Sequence, residues 1–86
     1  NWQRVYDHAQ SEFWLAYAAH SRGDNRGALP HFLAYRNLGR RMMALAPQKV
    51  ESRVELASAE ANLGVALVAE DRFQDALASF EVAART

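Results

Sequence analysis

Few residues in this 86-residue sequence could do chemistry: His8, His20 and His31, the arginines at 36, 40 and 41, and scattered carboxylates. Two histidines one turn apart on a helix would make a metal site, but no pair here has the i, i+4 spacing that does so. His8 and Glu12 are four apart, which suits a weak ion pair rather than a ligand set. There is no phosphate-cradling glycine loop, no H-E-x-x-H helix and no G-x-S-x-G elbow. No serine has a histidine and a carboxylate set around it. The residues point away from an enzyme and imply no metal and no cofactor. Arg36 and Arg40 share a helical face, an arrangement that suits an acidic partner or a phosphate chain. Ten basic side chains are balanced by ten acidic ones, however, so this cluster reads as a solvated outer face and nucleic acid is not expected as a partner. Glu51 and Glu55 are likewise expected to face water.

The elements that must position these residues are all helical. Residues 2–21 lack proline and glycine, and Val5, Ala9, Phe13, Ala16 and His20 recur at helical spacing beside Trp2, Tyr6 and Tyr17. Gly23 can take the left-handed conformation that ends a helix, and Asp24 or Asn25 can cap the next one. A second helix is expected from Arg26 to about Leu45, along Ala28, Leu29, Phe32, Tyr35, Leu38, Met42 and Leu45. Pro30 near its start predicts a kinked or 3₁₀-like first turn. Gly39 inside it either admits a neighbouring backbone or is a weak spot costing about 1 kcal/mol. A third helix should begin at Pro47 or Gln48 and run to about Glu70. Its stripe is Val50, Val54, Ala57, Ala61, Gly64 and Val68, with Leu56, Leu63 and Leu67 beside it. Glu70-Asp71-Arg72 turns the chain into a fourth helix, from Phe73 to Arg85. Short connections make neighbouring helices antiparallel.

Sliding the sequence by 48 residues superposes Ala9 on Ala57, Glu12 on Glu60, Leu15 on Leu63 and Ala18 on Ala66. The same shift superposes Ala28 on Ala76, Leu29 on Leu77 and Phe32 on Phe80, and the two turns align without a gap. These matches fall at helix-contact positions, which marks an internal duplication. Leu63-Gly64 followed by Ala76-x3-Phe80, and Leu15-Ala16 followed by Ala28-x3-Phe32 with Pro47 closing the copy, resemble the tetratricopeptide repeat. Glutamate stands for the usual first tryptophan in both copies, Ala19 is small where a tyrosine is usual, and the period is 48 rather than about 34. The extra length adds roughly two turns of ~3.6 residues to the second helix, so the long helices are expected to project beyond the repeat body. The chain is similar to longer variants of the family in multidomain bacterial proteins.

The resemblance implies one all-α domain over residues 1–86, built as two stacked helical hairpins of an α-solenoid, with repeat one at about 2–46 and repeat two at about 47–86. Small residues at Ala16, Gly64, Ala28 and Ala76 would let paired helices approach, and Phe32 and Phe80 would fill the space between one pair and its neighbour. It also implies a groove lined by Phe13, Trp14, Tyr17 and His20 from the first helix and by Asn62, Val65 and Val68 from the third. With Phe13 where a basic clamp residue would stand, the expected groove is aromatic and apolar. The same aromatics could instead pack against an upstream repeat, a second copy or this domain's own core.

The expected function is therefore a non-enzymatic protein–protein interaction module, a scaffold presenting a groove to a peptide or protein partner within a longer polypeptide. The competing readings are homo-oligomerisation through exposed repeat ends and a regulatory segment of a larger signalling enzyme. No apolar run approaches the roughly 20 residues of a membrane span, and the absence of cysteine fits cytoplasm without excluding the periplasm.

Overall fold

The computed structural model describes residues 1–86 as four helices: α1 (Trp2–Ser21), α2 (Asn25–Leu45), α3 (Val50–Ala69) and α4 (Phe73–Arg85). There is no strand, and each helix packs on its neighbours in sequence. Adjacent helices run antiparallel: Val5 clusters with Met42 at one end of the α1–α2 pair while the rings of His20 and Phe32 meet edge-on at the other. No helix is long and apolar enough to cross a membrane.

The two turns within the hairpins have one construction. Gly23 has φ 80°, and Asp71, its counterpart 48 residues on, has φ 60°. Each left-handed residue closes the helix before it with the same pair of bonds. Gly23 N donates to His20 O and Asp24 N to Ala19 O; Asp71 N donates to Val68 O and Arg72 N to Leu67 O. Asp24 then caps α2 by accepting from Gly27 N at 2.9 Å, whereas the equivalent Arg72 gives α4 no side-chain cap. The two turns thus match in backbone geometry at positions 48 residues apart.

Three local expectations are corrected. α3 starts at Val50 rather than at Pro47 or Gln48, because Lys49 N donates to Ala46 O and closes a turn in which Pro47 takes the second position. The first turn of α2 is α-helical, with Ala28 N bonded to Asp24 O, and Pro30 falls in the second turn of an unbroken helix. The core stripe of α3 is Leu56, Ala59, Glu60, Leu63, Ala66 and Leu67, while Val50, Val54 and Val68 face outward. The helix has turned its long leucines toward α2 and α4, where they remove more apolar area from water than valine would.

Two apolar clusters fill the stack. One joins Ala16, Ala19, Ala28 and Phe32 of the first hairpin to Leu63, Ala66, Leu67 and Ala76 of the second. The other joins Val5 and Ala9 to Tyr35, Met42 and Ala59. The second cluster lies in the added turns of α2 and α3, so those turns do not project free: the N-terminal half of α1 covers them. Gly39 admits a neighbouring backbone, since a Cβ there would lie 3.1 Å from Leu56 Cα. Gly64 admits a ring, because a Cβ would lie 2.5 Å from Phe80. Among the motif residues, Ala16, Ala28, Phe32, Leu63, Gly64 and Ala76 are buried, but Leu15 is 51% exposed. Its copy Leu63 is buried because Ala28 and Phe32 of the preceding hairpin lie against it, and no helix lies against that face of α1. Phe80 covers Gly64 inside its own hairpin rather than bridging to another, and is 36% exposed.

Candidate functional site

The first helices of the two hairpins, α1 and α3, are bridged by polar side chains. Trp2 Nε1 donates to Ser52 Oγ at 2.9 Å, and Ser52 Oγ donates in turn to Met42 O at 3.2 Å. Gln10 Nε2 and the Tyr35 hydroxyl both donate to Glu55 Oε1, at 2.7 and 2.8 Å. Glu55 therefore does not simply face water, as its spacing suggested; Glu51 does. Burial pushes the Tyr35 phenol well above its ordinary range, and the Glu55 carboxylate beside it adds to the rise.

The aromatics of α1 form a cluster of edge-on and stacked rings that joins buried Tyr35 to the surface. The Phe13 ring lies 5.5 Å from Tyr35 on its inner side, and 5.2 Å from Trp14 and 6.1 Å from Tyr17 on its outer side. Trp14 and Tyr17 are 61% and 51% exposed. On α3 the counterpart of Tyr17 is Val65, 50% exposed, and the counterpart of His20 is Val68, 43% exposed. One face of each first helix is thus left open at equivalent positions. Asn62 behaves differently. Its Nδ2 donates back to Ser58 O at 2.8 Å and to Ser58 Oγ at 3.3 Å, so its amide hydrogens are spent within α3. His20 is exposed, with Nδ1 3.3 Å from Asn25 Oδ1.

The titratable residues take positions that spacing alone did not disclose. His8 Nε2 lies 3.6 Å from Glu12 Oε1, the expected helical pair, but the shorter contact is His31 Nδ1 to Glu12 Oε2 at 2.7 Å. These three side chains do not form a metal-holding group. Of the α2 cluster, Arg40 and Arg41 are exposed as expected, but Arg36 is turned inward. Arg36 Nη1 and Arg40 Nη2 lie 3.9 and 3.6 Å from the carboxylate of Glu60, which is 1% exposed. Burial lowers the Arg36 pKa and Arg40 lowers it further, while Glu60 opposes both. Helix periodicity placed Arg36 and Arg40 on one face, but nothing in the sequence showed that this face meets Glu60.

Beside Glu60, α2, α3 and α4 line an open-mouthed pocket of ≈ 290 Å³, with Arg72 and Ser79 also on its wall. It lies away from the exposed Trp14–Tyr17 face. No family model, curated protein or solved structure matches the chain, so the geometry alone carries the functional reading.

Proposed function

We propose that this chain is a tetratricopeptide-like pair of hairpins that acts as a non-enzymatic interaction module, presenting the open faces of α1 and α3 to a peptide or protein partner. The observation that carries this reading is the cluster of Phe13, Trp14 and Tyr17, in which Phe13 lies against buried Tyr35 while the other two rings meet solvent. Rings held in this way give a partner large apolar area at little further loss of side-chain entropy. Val65 and Val68 extend the apolar surface onto α3. Asn62 contributes an amide oxygen, its hydrogens being used within the helix.

A peptide-array comparison of the native protein with Trp14→Ala/Tyr17→Ala tests this. Both rings are more than half exposed, so helicity should be unchanged. Capture should weaken by about thirtyfold, the effect of losing some 2 kcal/mol at an aromatic anchor. Undiminished capture by the folded double variant would remove this face from the binding surface.

A second reading, self-assembly, is favoured by a mismatch between the copies. Leu63 and Phe32, which meet at the junction of the two hairpins, are 1% and 4% exposed, but their copies Leu15 and Phe80 are 51% and 36% exposed. The two ends of the stack thus bear the two halves of a junction that the molecule makes once internally.

A further inference from the structure

The pocket beside Glu60 is a gap in the internal repeat. The 48-residue shift carries Glu12 onto Glu60 and His31 onto Ser79. In the first hairpin the His31 ring occupies the space beside its glutamate, 2.7 Å from Glu12 Oε2. In the second hairpin the short Ser79 leaves the corresponding space open, and both Ser79 and Glu60 line the ≈ 290 Å³ pocket. The Glu60 carboxylate is buried, and neither of its oxygens accepts a hydrogen bond. Arg40 and Arg36, at 3.6 and 3.9 Å, are in ionic contact but beyond donating distance. A buried carboxylate without donors is costly, and a donor that takes its place beside Glu60 as the half-exposed Arg40 swings aside recovers that cost on binding.

The rim has the opposite surplus. Arg36 spends its Nε donor on Asn37, and Arg72 spends Nε and Nη2 on Asp75. A guanidinium carries five N–H donors, so the arginines retain several for an oxyanion. Between floor and rim the walls are apolar, formed by Leu33, Leu67 and Val82. A bare anion would satisfy the arginines but set a like charge beside Glu60. A bare cation would satisfy Glu60 but face three guanidiniums against one further carboxylate, Asp75, which Arg72 already holds. A zwitterion with a small apolar body meets both demands, and the volume is at the metabolite end of ligand sites.

We propose that this pocket binds a free aliphatic α-amino acid, its ammonium on Glu60 where His31 sits in the first hairpin's copy of the site, and its carboxylate on Arg40 and Arg72. Calorimetric titration of the unmodified protein with leucine, its primary amide and its α-keto acid analogue tests the proposal without relying on any variant's fold. Leucine should bind, and each analogue should bind at least about tenfold more weakly, since each forfeits one set of charge-assisted bonds. Ser79→His, which restores the first hairpin's pair, should abolish leucine binding and raise the melting temperature. The proposal is overturned by the absence of leucine binding at millimolar concentration, or by equal binding of the keto acid, which would make this a simple anion site. Unchanged leucine affinity in Ser79→His overturns it as well.

Discussion

Phe32 and Phe80 occupy the same place in the two copies, and sequence alone assigns them the same role. Phe32 is 4% exposed, clustered with Leu63, Ala66 and Leu67 of the following hairpin; Phe80 is 36% exposed over Gly64. Truncating the first should therefore cost about 3–5 kcal/mol, the value for a buried phenylalanine. Truncating the second should cost roughly two-thirds of that, in proportion to the surface each buries. Urea unfolding of Phe32→Ala and Phe80→Ala measures the difference, and equal costs would contradict the packing described. For a domain of about 5–15 kcal/mol in all, Phe32→Ala threatens folding itself. Glu60 makes the same point about polar residues. Its type marked it as an atypical motif member, but whether it met water or Arg36 depended on which way α2 packed.

At the scale of elements, the two hairpin turns share geometry but not chemistry. Gly23 suits its left-handed conformation, and Asp71 tolerates the same conformation with a Cβ. Asp71→Gly should therefore stabilise the protein by up to about 1 kcal/mol, which raises the melting temperature by roughly 4–8 °C in a domain of this size. Gly23→Ala should lower stability by about 1 kcal/mol. Nothing lies within 4 Å of the new Cβ, so that cost is purely conformational. Parallel thermal melts decide the matter, and a drop for Asp71→Gly would refute the equivalence of the turns. Helix limits were largely legible because glycine, proline and Asp24 punctuate the chain. The start of α3 was not, because the residues 46–49 turn draws on a bond from Lys49 to Ala46 that composition does not announce.

At the scale of the molecule, the duplicated junction between hairpins sets an expectation about assembly. If Phe80 of one copy seats against Leu15 of the next, repeating the internal contact of Phe32 with Leu63, mass measured by sedimentation should rise with concentration. The contact would be head-to-tail and open-ended rather than a closed pair. Leu15→Glu should abolish the rise without loss of helicity, since Leu15 is half exposed. A constant monomer mass across the range would leave the peptide-binding reading alone.

The sequence by itself determined four helices, their order and the packing of each on its neighbours, because periodicity and turn residues are local signals. It also identified the small residues where helices approach, since Ala16, Ala28, Gly64 and Ala76 recur at matched positions. Only the tertiary structure decided which side of each helix faces its neighbour. That choice buried Glu60 beside Arg36, exposed Leu15, drew Glu55 to Gln10 and Tyr35, and opened a pocket at Ser79 where His31 fills the first copy. The physical reason is that a helix with apolar residues around much of its circumference has several stripes it can bury. The partner helices' side-chain volumes and charges, not the helix's own period, select among them.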